Sequence, residues 1–213
     1  MKSNFAGSPG KDGGRFDEPI AIVGVGGIFP GAPSLADFWR LIQEGRDACG
    51  PVPAGRWILA SAAIVNSVPG NPDTVFSQRG CFIDSFERDL DIPGFRPEAA
   101  ASLDPNFHLL LHAGRSAFSG VRKDSLDLSR VGIILGNLAL PTDGSSALCD
   151  EVLAPLYGRE VFGGNAPGTS AAAHLCGNPL NRYVTGLPAG LLARALGLGG
   201  GGYTLDAACA SSL

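Results

Sequence analysis

The chain has 213 residues, of which 45% are hydrophobic and 17% are charged, and its formal net charge is −4. This is enough apolar material for one sizeable core or two small ones. Lys and Arg together number only 16, which argues against a basic surface for nucleic acid. No run approaches the roughly 18 uninterrupted apolar residues of a membrane-spanning helix. Residues 1–17 lack the apolar stretch of a secretory signal, so we expect a cytoplasmic location.

Residues 1–17 predict a flexible lead or an interdomain linker, because their Gly, Ser and Lys residues cannot form a core. Ordered structure is expected over residues 18–213. The five cysteines are odd in number and widely spaced, and none forms a CxxC pair, which argues against a thioredoxin motif and a zinc knuckle. Reduced thiols are therefore expected. The cysteines are Cys49, Cys81, Cys149, Cys176 and Cys209.

The first predicted elements are a strand and a helix. Residues 20–25 form a short β-branched run that predicts a strand buried on both faces. Ser34 is then expected to cap a helix, with Asp37 supplying a weak capping box. Gly45 ends this helix. Phe38 and Trp39 are expected to belong to the core. The apolar residues that recur at helical spacing are Leu35, Phe38, Trp39, Leu41 and Ile42.

An irregular stretch and a longer helix follow. Prolines and scattered glycines between residues 49 and 79 predict a long surface excursion, such as a lid or a partner-binding loop. Residues 80–86 predict a short strand. The helical period returns over residues 97–121, and its expected buried residues are Leu103, Phe107, Leu110, Leu111, Ala113, Gly114 and Ala117.

The remaining sequence is predicted to alternate between strands and helices. Residues 130–136 predict a second buried strand, and residues 145–157 predict a helix. A further helix begins at Pro188 and ends at Gly197, with an apolar stripe of Leu191, Leu192, Ala195 and Leu196. Residues 203–206 predict a short strand. This alternation indicates an α/β fold.

Cys209 is the candidate nucleophile. It follows the last predicted strand, at the expected start of a final helix. The N–H groups of a helix start favour a thiolate and can hold the negative oxygen of a tetrahedral intermediate. Its small neighbours allow a sharp turn and let a substrate approach. The alternative is a buried, unreactive thiol.

Four short motifs occur in order along the chain. The first motif is PIAIVG (19–24) with FPGA (29–32), and the second is FRPEAAASLDP (95–105). The third is LPAG (187–190) with LGL (196–198), and the last is DAACASSL (206–213). Together they resemble the β-ketoacyl synthases, the condensing enzymes of polyketide and polyunsaturated fatty acid synthases. The resemblance covers about residues 18–213 and implies the N-terminal half of a thiolase-like α/β fold, a mostly parallel sheet flanked by helices.

The resemblance also implies a reaction and its partners. In this family the cysteine of the last motif, here Cys209, accepts an acyl chain from the phosphopantetheine of an acyl carrier protein, and no cofactor is bound directly. Decarboxylation of malonyl-carrier protein then yields a carbanion that attacks the thioester. The implied partners are the acyl carrier protein, neighbouring synthase domains, and a second subunit in a homodimer or a synthase/chain-length-factor heterodimer.

The family places two histidines and a lysine well downstream of this cysteine. The sequence ends four residues after Cys209, and His108, His112 and His174 all precede it. We therefore expect the N-terminal part of a synthase domain, truncated just after the nucleophile and inactive in condensation by itself. The family's D-P-Q-x-R is DPNFH at residues 104–108, so contacts made by the usual Gln and Arg are not expected.

Two related functions remain alternatives. A chain-length-factor-like partner subunit has this fold but usually replaces the nucleophile, so Cys209 argues against it. Another thiolase-superfamily acyl transferase would act on a coenzyme A thioester. Modular and iterative synthases also remain open, as does the acyl chain length.

Three unrelated functions are less well supported. A dinucleotide site would need a third glycine where Phe29 stands. His108 and His112 have the spacing of metal ligands on one helix face, but neither the HExxH glutamate nor a third ligand is near in sequence. Ser211 and Ser212 are not in a G-x-S-x-G elbow, which argues against a serine hydrolase.

Overall fold

The computed structural model describes residues 19–57, 59–68, 70–83, 86–138, 142, 146, 153–163 and 178–211. The helices are α1 (Leu35–Gln43), α2 (Ser61–Ile64), α3 (Pro97–Ala101), α4 (Pro105–Ser119), α5 (Ala154–Phe162) and α6 (Pro188–Leu196). The strands are β1 (Gly50–Pro51), β2 (Arg79–Gly80), β3 (Ile133–Gly136) and β4 (Gly202–Leu205). Short 3₁₀ turns span Lys123–Ser125, Leu128–Arg130, Pro179–Tyr183 and Ala208–Ala210.

Helix α1 begins and ends where the sequence predicts. The Ser34 hydroxyl accepts a hydrogen bond from the Asp37 N–H at 3.2 Å and donates to the Asp37 carboxylate at 2.6 Å. Gly45 follows the helix with φ of +60°, a conformation that favours glycine. The expectation that Trp39 belongs to the core is wrong, because its side chain is 59% exposed.

The helix predicted over residues 97–121 is two helices, α3 and α4. Pro105 has no N–H and disfavours a helical conformation at the preceding residue, so the chain breaks at Asp104. The Asp104 carboxylate then accepts a hydrogen bond from the Asn106 N–H at 2.9 Å and caps α4. The break divides one expected helix without moving its apolar face away from the core.

The core lies where α4 and α6 pack against each other and where α6 packs against strands β3 and β4. Pro188 occupies the first turn of α6, and Gly197 ends it with φ of +69°, as the sequence predicts. The buried apolar residues of this core are Ile92, Ala100, Leu103, Phe107, Leu111, Val184, Leu191 and Leu192. Five of the eleven residues predicted for the buried face of residues 97–121 and the stripe of α6 belong to this core: Leu103, Phe107, Leu111, Leu191 and Leu192. Leu110, Ala195 and Leu196 are partly buried and pack against it.

Strands β3 and β4 are parallel, with Ile133 opposite Gly202 and Gly136 opposite Leu205. Strand β4 is shifted by one residue from its predicted position. Strand β3 occupies only the second half of the predicted residues 130–136. The expectation that this strand is buried is wrong, because Ile134 is 68% exposed.

The strand predicted over residues 20–25 is wrong for a similar reason. Ile20 is 96% exposed and Ile22 is 85% exposed, and no described strand pairs with this segment. The segment runs instead along α4, where methyl groups added at Gly24 and Gly26 would overlap the backbone of Ala117. A strand needs a neighbour for its N–H and C=O groups, and apolar sequence alone does not supply one.

Two further predictions agree only in part. The short strand expected over residues 80–86 is reduced to β2, which pairs antiparallel with β1 within the irregular excursion. The helix expected over residues 145–157 agrees with α5 at residues 154–157, and α5 then continues to Phe162. Residues 145 and 147–152 of this prediction lie outside the described residues. Residues 1–18 and 212–213, which include the predicted lead, also lie outside them.

Candidate functional site

Cys209 lies in a tight turn that leaves the end of β4. The turn is a single 3₁₀ turn, Ala208–Ala210, rather than the longer helix start expected from the sequence. Ala208 has φ of +48°, a left-handed conformation that costs a residue with a side chain about 1–3 kcal/mol. The Asp206 carboxylate accepts from the Ala208 N–H at 3.1 Å. The strained residue directly before the cysteine is therefore held by a side chain from the strand end.

A second side chain closes the same turn. The Ser211 hydroxyl accepts from the Ala207 N–H at 2.9 Å and donates to the Ala208 carbonyl, also at 2.9 Å. The turn also approaches the end of β3 closely, because a methyl group at Gly136 would overlap the Ser211 carbonyl. Gly136 therefore has a steric role that its local sequence does not reveal.

The Cys209 side chain is exposed and borders an open cavity of about 990 Å³. The cavity lies at the carboxyl ends of the two parallel strands, where ligands commonly bind in α/β proteins. Its lining residues are Gly55, Arg56, Asp104, Pro105, Asn106, Leu109, Gly136, Asn137, Leu138, Thr142, Ala208, Cys209 and Ser211. The alternative of a sealed, buried thiol is therefore wrong for Cys209.

Amide side chains fix one wall of the cavity. The Asn106 amide donates to the Asn137 side chain at 3.2 Å, and the Asn137 amide donates to the Val184 carbonyl at 2.9 Å. Beneath them, the Asn181 side chain accepts from the N–H of the buried Asp104 at 2.8 Å. Sequence reasoning missed Asn137 and Asn181, since isolated asparagines give no periodic signal.

The two helical histidines do not form a metal site. His108 is 1% exposed, and neither of its ring nitrogens has a hydrogen-bond partner among the described residues. His112 instead places its Nε2 3.4 Å from the Pro33 carbonyl. In the described part of the chain, no group of three or more His, Cys, Asp or Glu side chains could hold a metal ion. His174 lies outside the described residues.

Burial lowers the pKa of His108 below its ordinary value of 6.5, and the positive charge of Arg88 lowers it further. The backbone at Ala100 and the negative charge of Asp104 oppose this effect. His108 does not line the cavity that contains Cys209. We therefore interpret this histidine as a neutral core residue.

The cavity can support acyl transfer to sulfur. An exposed thiol lies beside the amide wall, in a space large enough for a substrate. The only charged side chains that line it among the described residues are those of Arg56 and Asp104. Neither the histidine nor the lysine that decarboxylation would require is among its described lining residues.

Comparison with known proteins now identifies the family. The family described as "Beta-ketoacyl synthase, N-terminal domain" matches residues 17–213. The chain belongs to the β-ketoacyl synthase family. The resemblance found in the four sequence motifs is thus confirmed, as is the α/β fold of the thiolase-like condensing enzymes.

The relatives of this chain are much longer than the part that matches it. The spectinabilin polyketide synthase system protein NorB of Streptomyces orinoci is 33% identical over 201 residues, which cover 92% of this chain and 8% of NorB. A solved PfaC keto synthase–chain length factor has a TM-score of 0.68 at 28% identity, over 90% of this chain and 21% of its own.

A second solved structure is the oxazolomycin ketosynthase domain OzmH KS7 of Streptomyces albus JA3453. It has a TM-score of 0.54 at 25% identity, over 90% of this chain and 29% of its own. The chain therefore spans less than a third of each of these three proteins.

None of its described helices has both the length and the apolar character that a membrane crossing requires.

Proposed function

We propose that Cys209 accepts an acyl chain as part of a β-ketoacyl synthase in polyketide or fatty acid synthesis. The observation that supports this role most directly is the exposed Cys209 thiol, which borders the cavity at the end of β4. Family membership supports the same role. The complete enzyme then condenses the acyl chain with malonyl-carrier protein by decarboxylative Claisen condensation.

The acyl transfer is an exchange of one thioester for another. The Cys209 sulfur, as thiolate, attacks the carbonyl carbon of an acyl-phosphopantetheine thioester and forms a tetrahedral intermediate. The intermediate collapses with release of the phosphopantetheine thiol, which takes up the proton that Cys209 lost. The backbone N–H of Cys209 donates to no described residue, so it is available to the negative oxygen of this intermediate.

The substrate arrives on a phosphopantetheine arm, and the proposed partner is an acyl carrier protein. The arm ends in a thiol and is attached to its carrier through a phosphate. Arg56 lines the cavity and supplies a permanent positive charge that suits such a phosphate. Neighbouring synthase domains, and a second subunit in a homodimer or in a synthase/chain-length-factor heterodimer, belong to the same proposal.

Condensation needs groups that the described residues do not place at the cavity. The family uses two histidines and a lysine downstream of the cysteine to assist decarboxylation. His108 cannot take such a role, because it is buried in the core and does not line the cavity. We therefore expect these 213 residues to accept an acyl group without condensing it.

Acyl loading can be measured directly on the full chain. Incubation with an acyl-pantetheine thioester is expected to add one acyl group, and mass spectrometry of digested protein should place it on Cys209. Cys209→Ala should abolish the adduct. Cys81→Ser is the matched control, because Cys81 is also exposed but does not line the cavity.

The other outcomes separate the competing functions. An adduct that persists in Cys209→Ala contradicts the proposal. A folded chain that accepts no acyl group supports a non-catalytic partner similar to a chain length factor. Loading from a coenzyme A thioester but not from acyl-carrier protein would indicate another acyl transferase of the thiolase superfamily.

A further inference from the structure

Two further thiols, those of Cys49 and Cys81, lie outside the cavity at the base of the irregular excursion. Strands β1 and β2 pair antiparallel with Gly50 opposite Gly80. Continuing this register by one residue places Cys49 directly opposite Cys81. Residues directly opposite each other across antiparallel strands have side chains on the same face. The two thiols are therefore neighbours in space although they are distant in sequence.

The hydrogen-bond pattern shows which kind of pair they form. The Val52 N–H donates to the Gln78 carbonyl at 2.8 Å, so these two residues are a hydrogen-bonded pair. Pairs alternate along an antiparallel ladder, and the cysteines lie three positions further on. Extended by one residue beyond Gly50 and Gly80, the same register would make them a non-hydrogen-bonded pair, the kind in which Cα atoms are typically about 4.5 Å apart and side chains are closest. Such a separation is within the range of about 4.4–6.8 Å observed for disulfides.

Interactions around Cys49 are consistent with this proximity. The Cys81 side chain and then the Asp47 carboxylate hydrogen-bond to the Cys49 thiol and raise its pKa to about 11. Arg79 fixes the base of the ribbon by donating to the Asp47 carboxylate at 2.9 Å and to the Cys49 carbonyl at 3.1 Å. Both cysteines are in the free thiol form.

We propose that Cys49 and Cys81 are a redox modification site, at which exchange with a small-molecule disulfide such as glutathione disulfide forms a reversible cross-strand disulfide. The exposed Cys81 initiates the exchange, since Cys49 is less exposed and is protonated at neutral pH. The Cys81 thiol loses its proton, and its sulfur attacks one sulfur of the reagent. The sulfur–sulfur bond of the reagent breaks, a mixed disulfide forms on Cys81, and the first glutathione leaves as a thiolate that takes up a proton.

The second step closes the pair. Cys49 gives up its proton, and its sulfur attacks the Cys81 sulfur of the mixed disulfide. The bond to glutathione breaks, and the second glutathione leaves as a thiolate that takes up a proton. Two protein thiols are thereby oxidised to one disulfide, while one glutathione disulfide is reduced to two thiols. Because Cys49 must lose its proton, closure is expected to accelerate as pH rises.

The position of the pair relates this modification to the cavity. The segment between the two cysteines includes Gly55 and Arg56, which line the cavity that contains Cys209. The β1–β2 pairing already holds the two ends of that segment together when both thiols are free. A disulfide would add a covalent link next to this pairing, so oxidation would further restrict the base of the segment that supplies part of the cavity wall.

Peptide mapping tests the proposal on the full chain. Tryptic cleavage gives residues 47–56 and residues 80–88, each with one cysteine. After treatment with glutathione disulfide and blocking of residual thiols, we expect these two peptides to be linked, with the loss of two hydrogens. A reductant should separate them. Cys209→Ala is the matched control and should retain the link.

The single variants Cys49→Ser and Cys81→Ser identify the order of events. Both should lose the linked peptide, and Cys49→Ser should accumulate a glutathione adduct on Cys81. Circular dichroism that matches the unsubstituted chain excludes misfolding as the cause. The proposal is overturned if both peptides of the unsubstituted chain stay unlinked, with or without glutathione adducts, or if either is linked to another cysteine instead. Neither result depends on acyl loading at Cys209.

Discussion

Residues 19–28 and the core built on α4 and α6 are both rich in apolar side chains, but only the second is buried. Phe107 on α4 is fully buried, whereas Ile22 is 85% exposed. The difference lies in the neighbours that each segment finds. Helix α4 satisfies its own backbone groups and packs against α6, while residues 19–28 have no described strand to pair with. Apolar sequence therefore predicts core only where the backbone is also satisfied.

The largest expected effect comes from truncating one residue in each region. Phe107→Ala should lower the free energy of unfolding by about 3–5 kcal/mol, because it removes a fully buried aromatic ring and leaves a cavity. Ile22→Ala is the matched control and should change it by less than about 0.5 kcal/mol, as is usual at exposed positions. Urea denaturation followed by circular dichroism measures both.

Equal effects of the two substitutions would contradict the comparison. A large loss in Ile22→Ala would show that the first segment is buried in solution, as the sequence alone predicts. A small loss in Phe107→Ala would show that the α4–α6 core is loosely packed.

The second test compares two glycines, one at the site and one on the surface of α6. Gly136→Ala should destabilise the chain by about 1–3 kcal/mol, because its methyl group would overlap the Ser211 carbonyl. It should also reduce acyl loading at Cys209, since the turn must move. Gly190→Ala meets no atoms within 4 Å and should stabilise α6 by about 0.5–1 kcal/mol.

Thermal unfolding and acyl loading are the two measurements for this pair of variants. If Gly136→Ala unfolds at the same temperature as the unsubstituted chain and loads normally, the close contact between β3 and the Cys209 turn does not exist in solution. Destabilisation by Gly190→Ala would instead show that the exposed face of α6 is covered.

Local signals in the sequence predicted much of the fold. The Ser34 cap, the glycine that ends α6 and the short strand predicted over residues 203–206 each depend on residues close together in the chain. Residues 20–25 were mispredicted because a distant partner decides, and no described strand pairs with them. The break at Pro105 is a local error: it was visible in the sequence, but it was outweighed by a continuous apolar period through residues 97–121.

The candidate site shows the same division. Cys209 was identifiable because its small neighbours and the motif around it are contiguous. Asn137 and Asn181 were not, because their contacts join β3, the 3₁₀ turn Pro179–Tyr183 and the start of α4 across long stretches of chain. Arg56 reaches the cavity from the irregular excursion, for which no regular pattern predicts a position.

The third test uses pH to examine His108, which is buried in the core, unlike the exposed residues 19–28. His108 has a lowered pKa in the folded chain, chiefly because burial disfavours its charged form. The unfolded chain binds a proton near pH 6.5, so it binds more protons than the folded chain below that value. This contribution to stability is therefore fully present above about pH 6.5 and is lost as pH falls through the folded pKa.

Two variants at this position separate titration from packing. His108→Leu and His108→Gln both remove the titrating group, but they fill the core differently, so their free energies of unfolding at pH 7.5 should differ. The free energy of unfolding that the two variants lose between pH 7 and pH 5 should nevertheless be similar. This loss should be smaller than in the unsubstituted chain, and the difference should be about 1.4 kcal/mol for each unit by which burial lowers the pKa of His108. Urea denaturation across this pH range measures the difference. If the acid loss is the same in all three chains, His108 is solvated or paired in solution, and the core around α4 is less dry than its 1% exposure indicates.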